Sequence, residues 1–203
     1  MSADATTETE IKLYVPDLET VAARLETAGA TIAKPRVFER NVRYEDAGGT
    51  FASRGVVLRM RQDDRARLTY KEPPAVPGDD DILSRFEAEV TVSDFDMMDL
   101  ILSRLGFRPY MTYEKYRTTY ALDSLEIVLD EMPYGPFVEI EGEADAIRGA
   151  VERLELGAAQ RMRANYTQLF DNVRRNLNLA FTDLTFANFE GVAVAAAAFE
   201  PTG

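Results

Sequence analysis

Glu8-Thr9-Glu10-Ile11-Lys12-Leu13-Tyr14 is the stretch whose reading decides the fold. Charged and uncharged residues alternate along it. In a β-strand, Glu8, Glu10 and Lys12 then point to one side, and Thr9, Ile11 and Leu13 to the other. Two carboxylates on one strand face repel each other unless something cationic lies between them. The same oddity recurs down the chain. Arg59 and Arg61 share a face opposite Leu58 and Met60, and Thr69 shares one with Lys71. Arg85, Glu87 and Glu89 lie opposite Phe86, Ala88 and Val90. Lys115 and Arg117 lie together, Asp130 opposes Leu129, and Glu139 and Glu141 oppose Val138 and Ile140.

One such strand is an ordinary antiparallel strand with a wet face. Across seven strands that explanation weakens. Wet faces usually mix Thr, Ser, Gln and Asn with salt-bridging pairs. Here like charges are stacked two apart: Glu-x-Glu three times, Arg-x-Arg once and Lys-x-Arg once. Carboxylate pairs suit divalent cations, and Arg or Lys pairs suit phosphate oxygens. The apolar faces need cover, which helices with apolar stripes can give. The expectation is an α+β fold: a closed or nearly closed antiparallel β-barrel of about eight strands, with a charged interior and helices packed outside. A barrel of that size can enclose one small ligand. Lined by both signs, it would hold a polyanion together with its metals.

Strands are expected at 6–15, 56–61, 66–71, 83–93, 107–122, 125–132 and 137–142, and 31–45 reads as an extended segment. Helices are expected at 18–28, 95–105, 146–154 and 161–179, from apolar spacing and from the stops at Gly29 and Gly106. Pro133-Tyr134-Gly135-Pro136 reads as a turn. Asp79-Asp80-Asp81 could be taken for a metal site, but a charge run beside Pro77 and Gly78 reads better as solvated loop. Residues 1–179 are expected to form the tunnel domain. Residues 180–203 form a C-terminal tail of unknown role, either a small extra strand or a docking segment.

The chain has 203 residues, 46% of them hydrophobic, and a net charge of −12. That length fits one domain with a core. The acidic balance argues against nucleic acid and against an anionic membrane surface. With neither His nor Cys in the chain, thiolate and imidazole metal sites are excluded. Any metal must be a hard ion held by carboxylates, Mg²⁺ or Mn²⁺. Met1–Thr7 is polar, with no apolar run of the secretory kind. The apolar run Val192–Phe199 is too short for a membrane span. A cytoplasmic protein is expected.

On these motifs the sequence resembles the CYTH superfamily, the triphosphate tunnel metalloenzymes. Its opening Glu-x-Glu-x-Lys is matched by Glu8, Glu10 and Lys12. Its Leu-Arg-x-Arg strand is matched by Leu58 to Arg61, and its Thr-x-Lys by Thr69 to Lys71. Its Arg-x-Glu-x-Glu is matched by Arg85, Glu87 and Glu89, and its Glu-Lys-x-Arg by Glu114, Lys115 and Arg117. Leu129-Asp130 and Phe137 to Gly142 complete the series. Each piece is weak alone; in order, over roughly residues 6 to 175, they are strong. The Tyr-x-Asp-Thr segment of the family is kept only loosely, as Tyr44-Glu45-Asp46-Ala47.

The resemblance implies that Lys12, Arg59, Arg61, Lys71, Lys115 and Arg117 hold a triphosphate. Arg85 would touch phosphate or pair with a carboxylate. Glu8, Glu10, Glu87, Glu89, Asp130, Glu139 and Glu141 would bind one or two Mg²⁺ or Mn²⁺ ions. Glu8, Glu10 and Lys12 are the catalytic candidates. The first expectation is hydrolysis of tripolyphosphate or a similar small triphosphate. A class IV (CyaB-type) adenylate cyclase acting on ATP, a thiamine triphosphatase, and a binding module without turnover are the alternatives. A homodimer is compatible with the sequence.

Overall fold

A computed structural model describes residues 5–73 and 83–201, without the side chains of residues 5–8 and 83–84. Asp79-Asp80-Asp81 and the Glu8 side chain therefore lie outside the described residues. Among the described residues, nine strands form one antiparallel sheet. They are β1 (Ala5–Tyr14), β2 (Thr31–Glu45), β3 (Val57–Gln62), β4 (Ala66–Lys71), β5 (Leu83–Val92), β6 (Arg108–Leu122), β7 (Leu125–Met132), β8 (Gly135–Glu141) and β9 (Gln160–Arg161). The order is β5-β4-β3-β2-β6-β7-β8-β1-β9, and β5 also pairs with β1. In that pairing Ala5 faces Ala88 and Glu10 faces Leu83. The other half of β1 pairs with β8, with Lys12 opposite Glu139.

Four helices accompany the sheet: α1 (Leu18–Thr27), α2 (Phe95–Arg104), α3 (Ala144–Arg153) and α4 (Tyr166–Leu177). Each of α1, α2 and α4 starts at a capping side chain. The Asp17 carboxylate accepts from the Thr20 N–H at 3.0 Å, and that of Asp94 from the Met97 N–H at 2.9 Å. Asn165 and Gln168 form a capping box on α4. These caps satisfy N–H groups that the helix itself leaves free. Val21 and Leu25 of α1, with Ile147 and Val151 of α3, pack on Ile11, Leu13, Ile127, Leu129, Val138 and Ile140. Those strand residues have the parity opposite to Glu10, Lys12 and Glu139. Leu102 of α2 meets Val42, Tyr44, Leu58 and Met60 in a separate cluster.

A third cluster forms on the charged parity. Met111 and Tyr113 alternate in step with Lys115 and Arg117, and Phe137 with Glu139 and Glu141. Yet Met111, Tyr113 and Phe137 are buried against Tyr166, Leu169, Phe170 and Val173 of α4. The charged face thus turns aromatic at one end, and α4 lies over that end.

Three expectations need correction. The last helix begins at Tyr166 rather than Arg161, because Asn165 caps it and because Gln160 and Arg161 pair with Tyr14 and Leu13 of β1. The turn before β8 shrinks to Pro133-Tyr134, since Gly135 and Pro136 already pair with Met132 and Glu131. α3 starts at Ala144, two residues early. The segment after Leu179 docks on the rest. Leu184 bridges β6 through the Leu184 N–H to the Thr112 carbonyl (2.9 Å) and the Glu114 N–H to the Leu184 carbonyl (2.9 Å). Phe189 and Phe199 are buried in the aromatic cluster.

Candidate active site

A cavity of about 310 Å³ opens over the charged face. The pleat puts alternate residues of β1, β3, β4, β5, β6 and β8 toward it. Six of the expected phosphate-binding cations line it: Lys12, Arg59, Arg61, Lys71, Lys115 and Arg117. Arg85 lines it too, as do Glu10, Glu87, Glu89, Glu139 and Glu141. So every expected site residue with a described side chain is brought together, except Asp130, which sits beneath.

The strand register sets the pairings. Lys12 faces Glu139 across β1 and β8, and its Nζ lies 3.1 Å from the carboxylate. Lys71 faces Glu87 across β4 and β5, at 2.5 Å. Arg85 donates to Glu10 at 2.8 Å. Arg117 donates to Glu139 at 2.7 Å. Arg59 donates to the Tyr113 hydroxyl at 2.9 Å and to the Thr69 hydroxyl at 3.2 Å, and the latter donates to Glu89 at 2.8 Å.

Two fully buried carboxylates support this layer. Asp130 accepts from Lys115 at 2.9 Å, from Arg117 at 2.5 and 2.7 Å, and from the Tyr166 hydroxyl at 2.8 Å. Asp130 has both oxygens engaged and no surface exposed, and it pairs with Lys115 and Arg117 beneath the cavity. Glu39 sits 3.7 Å from both Arg61 and Lys115.

The electrostatics follow from crowding in a desolvated space. Burial pushes the Glu39 carboxyl up, but Lys115, Arg61, Arg117 and Arg59 outweigh it and hold the group well below the carboxylate range. Burial likewise opposes ionisation of Glu139, and Lys12, Arg117 and Lys115 overcome it. Burial alone would lower Lys12; Glu139 and Glu10 raise it above its ordinary value. Arg61 is lowered, by burial and then by Arg59. Burial raises the Tyr113 phenol, yet Arg59, Lys115 and Arg61 bring it below its ordinary value. These shifts describe cations and carboxylates that hold one another in their charged forms.

For a divalent ion the donors are carboxylates, which suit Mg²⁺ or Mn²⁺. Glu10 and Glu126 both lie opposite Glu141, a like-charge row over β1, β8 and β7. Like charges directly opposite each other are destabilising unless a cation joins them. Among the described residues, no three acidic side chains converge as a ready-made metal site. Mg²⁺ does not need one, since it is commonly held by one or two carboxylates plus substrate phosphates.

Sequence reasoning missed several lining residues. Arg43 on β2 lines the cavity, and Glu39 and Asn41 share its parity and are buried. They alternate with Val42 and Tyr44, but without a like-charge pair the sequence marks this stretch only as extended. Tyr113 is in step with Lys115. Asn165, Tyr166 and Thr167 line the cavity from the start of α4, and no local pattern announces that.

The comparisons with known proteins agree with this geometry. A Methanocaldococcus jannaschii protein named "Putative adenylate cyclase" is 29% identical over 136 residues, 66% of this chain and 75% of its own length. A solved Pyrococcus horikoshii structure is 28% identical, with a TM-score of 0.65, covering 80% of this chain and 97% of its own. A Hippeastrum protein, described as a "Putative adenylyl cyclase" that reveals a dominant triphosphatase activity, shares the fold at 19% identity and a TM-score of 0.59. It covers 96% of this chain and 100% of its own. Residues 6–160 match the CYTH domain, and the chain belongs to the CYTH family.

Proposed function

We propose that the chain hydrolyses a small linear triphosphate, inorganic tripolyphosphate or similar, with the help of Mg²⁺ or Mn²⁺. CYTH proteins process triphosphates, and the finer reading rests on one observation. Eight cations share one cavity with six carboxylates, which is the constellation a polyanion and a hard cation need together. The β1–β5 pairing supports a sheet that returns on itself as an eight-stranded barrel, with β9 outside the ring. The cavity would then be a tunnel.

In this reading Lys12, Arg59, Arg61, Lys71, Lys115 and Arg117 bind phosphoryl oxygens. Glu10, Glu87, Glu89, Glu139 and Glu141, with Glu8, are the ligands available to the ion. A bound ion would neutralise phosphoryl charge and acidify a water. Phosphoryl transfer asks chiefly for in-line positioning and charge stabilisation, which cations fixed on strands provide. Lys12 is held between Glu139 and the Tyr166 ring, 4.6 Å from its centroid. It is therefore pre-set as a charged ammonium, suited to holding an oxyanion rather than taking a proton. Glu8 and Glu10 are the candidates for orienting the attacking water.

The cyclase reading draws on the name of the M. jannaschii relative. Both readings need bound triphosphate and differ in the nucleophile. The test is orthophosphate release from tripolyphosphate with Mg²⁺, by wild type and by a Glu139→Lys, Glu141→Lys double variant. Wild-type release that the double variant and a chelator each abolish supports the hydrolase. Retained tripolyphosphate binding with no wild-type release in any metal contradicts it.

A further inference from the structure

A second cavity of about 220 Å³ lies beside the first and shares Arg43, Asn165 and Thr167 with it. Arg43 is the cation of this junction. Its side chain is 6% exposed, and its Nε is buried with no hydrogen-bond partner. Its other contacts are to neutral groups and long: the Thr167 hydroxyl at 3.3 Å, the Val56 carbonyl at 3.4 Å, and the Tyr110 ring at 5.8 Å. The Nε atoms of Arg59 and Arg61 likewise lack a hydrogen-bond partner, but the neighbouring guanidinium groups differ in that each has a carboxylate. Arg85 has Glu10, Arg117 has Asp130 and Glu139, Arg61 has Glu39, and Arg59 has Glu89 at 3.9 Å.

A buried charge without an opposite charge is costly. The strand register adds to that cost, because Arg43 stands directly opposite Arg59 across β2 and β3. Like charges so placed are destabilising unless they share an anion. The N-terminal turn of α4, a 12-residue helix, brings the positive end of its dipole to the same junction. In the second cavity Asp171 already has Arg174 3.8 Å away as its counter-ion, whereas Arg43 at the junction has no carboxylate partner among the described residues.

We infer that Arg43 is a phosphoryl-binding residue outside the charge pattern of the other strands. It holds the end of the phosphate chain that faces the second cavity. This rests on the triphosphate reading above. It implies that a three-phosphate chain uses Arg43, whereas pyrophosphate can seat on the remaining cations.

The test is titration calorimetry with EDTA present, using tripolyphosphate and pyrophosphate as separate ligands. Wild type, Arg43→Gln, Arg43→Lys and the exposed-site control Arg54→Gln are compared, each checked by thermal melting. Loss of one charge-assisted contact corresponds to roughly tenfold in affinity. Arg43→Gln should weaken tripolyphosphate by about that factor and pyrophosphate by less than about threefold. Arg43→Lys should fall between, and Arg54→Gln should match wild type. Should Arg43→Gln fail to fold, the same selective loss is required of Arg43→Lys. Equal loss on both ligands, or no loss on tripolyphosphate, overturns the assignment while leaving the triphosphate reading in place. A wild type that binds neither ligand overturns both.

Discussion

At the scale of residues, the site is a layer of cations held from below by Glu39 and Asp130 and from the side by Glu139. Glu39 binds no substrate in this account, yet it lies 3.7 Å from both Arg61 and Lys115. Removing one partner of a buried charge pair costs about 3 kcal/mol or more. Glu39→Gln should lower stability by about that amount in urea unfolding at pH 7, and a loss below about 0.5 kcal/mol would contradict the counter-ion role. The pH dependence has a definite sign. Glu39 and Glu139 are both depressed in the folded state, whereas an unfolded Glu binds its proton near about 4.3. Their contribution is present above that value and is lost as pH falls through the lower, folded value. Melting temperature should therefore drop on acidification below about pH 4.5, less steeply in Glu39→Gln. Equal slopes would show that Glu39 is not part of the linkage.

At the scale of elements, strand parity carries the design. β1, β3, β5, β6 and β8 each announce their charged side through like charges two apart, and β4 through Lys71 in step with Thr69, so most of the cavity was legible in the sequence. β2 hid its part because Glu39, Asn41 and Arg43 are chemically mixed and no like-charge pair flags them. The α4 contribution was illegible for another reason. Asn165 and Thr167 are ordinary helix-start residues, and only tertiary packing carries them to the cavity. Asn165 accepts from the Thr167 and Gln168 N–H groups, at 3.1 and 3.0 Å. Asn165→Ala should cost about 1 kcal/mol of stability, and it should weaken triphosphate binding because Thr167 would lose its anchor. Unchanged binding and stability would show that the cap does not position the site. Gly142, at the end of β8, has φ +150°, and an added Cβ would lie 2.5 Å from the Leu125 side chain. Gly142→Ala should destabilise by about 1–3 kcal/mol in the same unfolding assay.

At the scale of the whole molecule, three hydrophobic clusters hold helices against the sheet. The segment after Leu179 belongs to the one over the aromatic end. Leu184, Phe189 and Phe199 are buried there, so the stretch read in sequence as a tail contributes to the core beside Tyr113 and Tyr166. Its burial was not readable because docking of isolated aromatics depends on distant strands. A chain ending at Leu179 should be several kcal/mol less stable, since each large buried side chain contributes roughly 2–5 kcal/mol. A melting temperature equal to that of the full chain would refute this.

The central claim is that the charged face binds and cleaves a triphosphate. Phosphorus NMR of the full chain with Mg²⁺, offered tripolyphosphate and ATP in separate tubes, tests it most directly. The account predicts orthophosphate and pyrophosphate from tripolyphosphate, with ATP largely intact. Cyclic AMP and pyrophosphate from ATP, with tripolyphosphate untouched, would contradict it, as would unchanged spectra in both tubes.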